Sequence, residues 1–96
     1  MVVGYARIGF VLPGNDSLKG KRAVVRRLLD RARARFPVAA AEVGALDVHQ
    51  RAVVGFAVVS NDGGHAREVL DRLGAFVESE VDVIDRRVEL LRVEEP

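Results

Sequence analysis

Two stretches of alternating hydropathy, each followed by a turn and then by a helical repeat, constrain this chain more than any other feature. From Val2 to Leu12, residues Val2, Ala6, Ile8, Phe10 and Leu12 fall on one side, and Tyr5, Arg7 and Gly9 on the other. That is the period of two expected of a strand with one buried face. From Arg51 to Ser60 the pattern returns, with Ala52, Val54, Phe56 and Val58 inward. The first run is followed by Pro13-Gly14-Asn15-Asp16 and the second by Asn61-Asp62-Gly63-Gly64. Both read as turns, because Pro fixes φ while Gly and Asn tolerate unusual backbone angles. Ser17 or Asp16 is then placed to cap a helix. Leu18, Val25, Leu28, Leu29, Ala32 and Phe36 give that helix one apolar face. Pro37 ends it, since the residue before proline disfavours the α region. After the second turn, Ala66, Val69, Leu70, Leu73, Phe76 and Val77 mark a second amphipathic helix.

Between the halves, Val38 to Leu46 reads as a strand, weakened by three consecutive alanines, and Leu46 to Gln50 as a connection. Val81 to Val93 reads as a last strand whose imperfect alternation predicts a bulge. The order is strand, helix, strand, strand, helix, strand. Right-handed crossovers leave few ways to assemble it. The expectation is one α+β domain over residues 1–96 with ferredoxin-like βαββαβ topology: a four-stranded antiparallel sheet with two helices on one face.

Such an architecture leaves one sheet face without cover. Tyr5, Arg7, Gly9, Arg51, Val53, Gly55, Ala57 and Val59 should point there. Small residues on central strands let another backbone or sheet come close. The face is either solvated or a contact surface for a homo-oligomer or a scaffold partner, with Tyr5, Arg7, Val53, Ala57 and Val59 as its contact residues.

Composition narrows the chemistry. Among 96 residues, 49% are apolar and 30% charged, a globular balance rather than a disordered one. There is no cysteine, which removes disulfides, thiolate nucleophiles and cysteine-based zinc sites together. No apolar stretch approaches the ~20 residues that span a bilayer, so no membrane partner is expected. The first residues carry Arg7 and lack a basic leader, unlike a secretory signal; the expected location is the cytoplasm. Gly14 to Arg22 only superficially resembles the phosphate loop G-x-x-x-x-G-K-[ST]. Its first glycine stands one residue too far away, and Arg22 replaces the metal-binding hydroxyl. His49 and His65, near Asp47 and Asp62, lie on separate loops and do not make a metal site by spacing. No catalytic residue, metal, cofactor or small-molecule substrate is assigned, and the expectation is a non-enzymatic protein.

The first helix carries the clearest functional signal. From Ser17 to Phe36 there are eight basic residues against Asp30, a net of +7, in a chain whose overall charge is +1. At about 100° per residue, Lys19, Arg22, Arg26 and Arg33 form one stripe beside the apolar face; Arg27, Arg31 and Arg35 form the other flank. Arg31, Arg33 and Arg35 complement the negative end of the helix dipole, whereas Lys19, Lys21 and Arg22 stand at the end where it opposes them by roughly 0.3–1 kcal/mol each. Gly20, poor for a helix by about 1 kcal/mol relative to Ala, would let a backbone or a phosphate approach. The cluster is either a solvated face in an arginine-rich chain or a nucleic-acid- or anion-binding site of Lys19, Lys21, Arg22, Arg26 and Arg33. Aromatics are only 5% and no aromatic pair lies on the central strands to stack bases, so RNA would be held by its backbone and shape.

Leu12-Pro13, the string Ser17-Leu18-Lys19-x-Lys21-Arg22, Ala41-Glu42-Val43, Gln50-Arg51-Ala52 and the strand from Gly55 to Ser60 together resemble the YlxP-like family (DUF503) of small bacterial proteins. The resemblance spans nearly the whole chain and is most specific at the Ser-Leu-Lys-x-Lys-Arg string. It implies a ferredoxin-like fold and no established activity. Because such proteins are often encoded among genes for translation and ribosome maturation, it also implies a ribosome- or RNA-linked role. Gly20, Gly44 and His49 depart from the family's usual charged, acidic and aromatic residues at those places, and no catalytic residue is carried over.

Overall fold

The computed structural model describes residues 1–94, in the order β1 (Val2–Val11), α1 (Leu18–Arg35), β2 (Ala39–Gly44), β3 (Arg51–Ser60), α2 (Gly63–Glu80) and β4 (Asp82–Arg92). The strands form one antiparallel sheet in the order β2-β3-β1-β4, so the two alternating runs lie side by side at its centre. This is the ferredoxin-like α+β arrangement expected from the sequence. The inward residues of β1 and β3 meet both helices in one core, where Ile8, Phe10, Val54, Leu70, Leu73 and Val77 are almost wholly buried. Each such side chain stabilises the fold by about 1.5–3 kcal/mol relative to exposure.

Both helices begin on side-chain caps, which satisfy amide groups that the first turn leaves free. Ser17 Oγ accepts from the Gly20 amide at 3.0 Å, and Asp62 Oδ1 accepts from the amides of Gly64 and His65 at 2.8 and 3.3 Å. At its C-terminal end α1 passes into an extended Phe36, whose ring tilts against Phe76 of α2 at 5.8 Å between centroids. The Arg35 guanidinium lies 4.8 Å from the Phe76 ring centre, a cation–π contact. Gly74 is buried in α2 because Arg86 of β4 crosses it; a Cβ there would come within 2.8 Å of the guanidinium carbon.

The expected bulge is present in β4, where the pairing with β1 steps from Asp85 to Val83 and leaves Ile84 unpaired. A second bulge, which the alternation did not reveal, leaves Val43 unpaired in β2. The second strand is also shorter than Val38–Leu46. It stops at Gly44 because Ala45 takes a positive φ of 54° and its carbonyl turns toward the Lys21 ammonium.

Candidate functional site

Of the five residues of the basic cluster, Lys19, Arg22, Arg26 and Arg33 are exposed on α1, away from the core. Lys21 is not among them. Its side chain is 1% exposed, and its ammonium donates to the carbonyls of Ala45 and, at 2.9 Å, Val48. Glu42 Oε2 stands 3.1 Å from the same nitrogen, an ionic contact outside hydrogen-bond geometry. The inward direction follows from the helical period: Lys21 lies four residues before Val25 and seven before Leu28, on the core-facing side. A long flexible stem carries its charge through apolar surroundings to a polar end. Lys21 therefore clamps the β2–β3 loop and is withdrawn from any external ligand, which corrects its placement in the anion-binding cluster.

Gly20 is explained in the same way. A Cβ there would lie 2.6 Å from Asn15 Oδ1, so the close approach that glycine permits is used within the chain. Asn15 in turn donates to the carbonyls of Ser17 at 2.8 Å and His49 at 2.5 Å. The β1–α1 turn and the β2–β3 loop are thus tied together by Asn15, by Lys21 and by the Leu12 amide on the Gln50 carbonyl at 2.9 Å.

The remaining cations of α1 divide into engaged and free. Arg33 holds Asp30 at 2.8 Å and donates to the Ala40 carbonyl at 3.0 Å, joining α1 to β2. Arg31 pairs with Glu80 at 2.8 Å, and Arg35 covers Phe76. Lys19, Arg22 and Arg26 make no ion pair among the described residues and stand along one exposed stripe. Arg27, also exposed, lies on the other flank beside the Arg31–Glu80 pair. Asp62 caps α2 through its side chain, and no cluster of three or more potential metal ligands exists among the described residues. No helix among them is long and apolar enough to cross a membrane.

The sheet face opposite the helices is the second feature. Its two central rows are Glu89–Tyr5–Ala57–Ala39 and Arg87–Arg7–Gly55–Ala41. The β2–β3 half is apolar and forms a shallow groove of about 410 Å³ over Ala39, Ala41, Gly55 and Ala57, walled by Tyr5, Arg7 and Val43. Val43 reaches over Gly55 because that residue has no side chain; a Cβ there would meet it at 3.1 Å. The β4 half is charged but internally paired. The Tyr5 hydroxyl donates to Glu89 Oε2 at 2.6 Å, and Arg87 Nε donates to Glu89 Oε1 at 2.9 Å. The hydrogen bond from Tyr5, then that from Arg87, holds the Glu89 carboxyl below the usual carboxylate range. The same bond to Glu89 raises the Tyr5 phenol above its ordinary value. Tyr5, Arg7, Ala57 and Val59 reach this face as expected, with Val59 66% exposed. Val53 points the same way but is buried, packed against Gly44 of the adjoining bulged strand. It supports the face from within.

The model of a family described as a protein of unknown function (DUF503) matches residues 3–89. The uncharacterized protein YlxP of Bacillus subtilis is 36% identical over 78 residues, covering 81% of this chain and 85% of that protein. Among solved structures, the cofactor-independent oxygenase SnoaB of Streptomyces nogalater aligns over 99% of this chain and 95% of its own at 10% identity and a TM-score of 0.48. A REP-associated tyrosine transposase bound to a REP hairpin aligns over 96% of this chain and 57% of its own at 9% identity and a TM-score of 0.45.

Proposed function

We propose, for a chain that belongs to the DUF503 family of proteins of unknown function, a non-enzymatic role as a cytoplasmic module that binds the phosphate backbone of RNA, free or in the ribosome. The observation that carries this reading is the division of labour on α1. Lys21, Arg31, Arg33 and Arg35 are each engaged within the fold, whereas Lys19, Arg22 and Arg26 stand exposed in one stripe with no ion pair among the described residues. Lys19 and Arg22 sit in the first turns, where the helix dipole works against them by roughly 0.3–1 kcal/mol each. No acidic residue occupies that first turn to offset them. A cation held there without an internal partner is available to an external anion.

Contacts of this kind position a backbone and carry no base sequence. Three phosphate contacts to single-stranded RNA give a slope of about −2 in log affinity against log salt. The test is fluorescence anisotropy with a labelled single-stranded RNA, and sedimentation with ribosomal subunits, for the wild type and for Lys19→Glu/Arg22→Glu/Arg26→Glu. Lys21 is left intact because changing it would perturb the fold. The expected result is salt-sensitive wild-type binding that the triple variant loses, with an unchanged circular dichroism spectrum. Binding that ignores salt, or that survives in the triple variant, refutes the reading.

A further inference from the structure

We propose that the open sheet face is an isologous interface, covered by the same face of a second copy of this chain about a two-fold axis that runs across the strands. The inference does not depend on the RNA reading. Four strands about 4.8 Å apart, three of them ten or eleven residues long and β2 six, at about 3.3 Å per residue present roughly 600 Å² of flat area. Side-chain relief raises that figure, so two copies bury on the order of 1,200–1,600 Å² in all, the size of a standard stable interface. The face also lacks the net charge that would draw a polyanion. Its inner charges, Arg7 and Arg87 against Asp85 and Glu89, sum to zero, and the free cations of α1 stand on the opposite side of the sheet.

The distribution of those charges selects the axis. The face is apolar along β2 and β3 and charged along β4. A two-fold axis parallel to the strands would lay β4 of one copy on the apolar β2 of the other, desolvating carboxylates against alanine with nothing there to pair them. An axis across the strands lays β4 on β4 and β2 on β2. Passing midway between the two central rows, it sets Glu89 of one copy opposite the second copy's Arg87, and Arg87 opposite its Glu89. It also sets Ala57 and Ala39 opposite the second copy's Gly55 and Ala41, so the two grooves of about 410 Å³ face each other. The small residues let the sheets approach, and Tyr5, already anchored on Glu89, offers its ring to the apolar half. The α1 stripes of such a dimer lie on its two outer surfaces, roughly 40 Å apart for stacked layers of this thickness.

The test is the solution mass by sedimentation equilibrium at micromolar concentration, together with cross-linking, which a chain without native cysteine makes clean. The wild type is expected at twice the chain mass. Ala57→Glu, and separately the more exposed Val59→Glu, are expected at the mass of one chain, with an unchanged circular dichroism spectrum. An oxidised mixture of Ala39→Cys and Ala41→Cys chains is expected to cross-link several-fold more than either variant alone. A wild type at single-chain mass, a dimer that both glutamate variants leave intact, or cross-linking no better in the mixture would each overturn the proposal.

Discussion

Replacing Lys21 by methionine removes the one buried charge among the described residues and keeps most of its volume. The ammonium is 1% exposed and holds three oxygens: the Ala45 and Val48 carbonyls and, at 3.1 Å, Glu42 Oε2. In the variant the two carbonyls lose their donor and the carboxylate loses its cation. Breaking a buried pair costs about 3–5 kcal/mol, most of it the penalty on the charge left behind. The Glu42 side chain retains 20% exposure and recovers some hydration, which places the loss near the lower figure, about 3 kcal/mol. For a domain of this length, about 4–8 °C per kcal/mol turns that into a fall in Tm of roughly 12–24 °C. The diagnostic comparison is Lys21→Met/Glu42→Met. Apolar replacement of both partners of a buried pair is often close to neutral, so the double variant should recover about 2 kcal/mol of the loss. Urea unfolding followed by far-ultraviolet circular dichroism measures all three stabilities at similar m-values. A single variant within about 1 kcal/mol of wild type, or a double variant no more stable than the single, would show that the clamp is not what holds the β2–β3 loop.

The other two predictions test local geometry. Tyr5 is the only tyrosine and there is no tryptophan, so a phenolate absorbance titration reports this residue alone. Its midpoint should lie above the ordinary value of about 10, and Glu89→Gln should bring it down, because the carboxylate that holds the phenol protonated is gone. In stability the signs oppose. The Tyr5 contribution is full below the unfolded-state value and fades as pH rises through the raised one, whereas the Glu89 contribution is full at neutral pH and fades as pH falls through its lowered value. A wild-type midpoint unmoved by Glu89→Gln would contradict the 2.6 Å bond. At Gly20, alanine gains about 1 kcal/mol of helix propensity but displaces the Asn15 side chain and its two hydrogen bonds, at about 0.5–1.5 kcal/mol each. Gly20→Ala should therefore be neutral or destabilising in the wild type and stabilising by about 1 kcal/mol in an Asn15→Ala background; thermal unfolding of the four proteins checks the cycle.

The layered fold was legible because both central strands keep a strict period of two and both helices keep an apolar face, so local and global preferences agree. Where they disagreed, the sequence misled. Ala39-Ala40-Ala41-Glu42-Val43-Gly44 continues without an audible break toward Leu46, yet the strand bulges at Val43 and stops at Gly44. The cause lies 24 residues earlier in the chain, where the Lys21 ammonium captures the Ala45 carbonyl. Alternation also placed Val53 correctly on the open face and still missed its burial, because packing by a bulged neighbour is not a property of the strand itself.

The same logic explains the basic helix. Counting charges on a wheel treats every cation as external, and on that count Lys21 and Arg33 belong with Lys19, Arg22 and Arg26. Burial and partners separate them. Lys21 was detectable in principle, since its spacing from Val25 and Leu28 places it on the apolar side, and Glu42 on the neighbouring strand is the only carboxylate of β2. Gly20 next to it serves Asn15 rather than a phosphate. What is left outside on that flank is a shorter stripe of Lys19, Arg22 and Arg26, displayed by a helix whose Lys21, Arg31, Arg33 and Arg35 are tied to the β2–β3 loop, the sheet and α2. Under the two proposals this stripe would take the polyanion, at the cost of ordering its three long side chains, while the small-residue face on the far side of the sheet, whose inner charges sum to zero, would take a second copy of the chain. The two surfaces share no residue, so each can be disabled without disturbing the other.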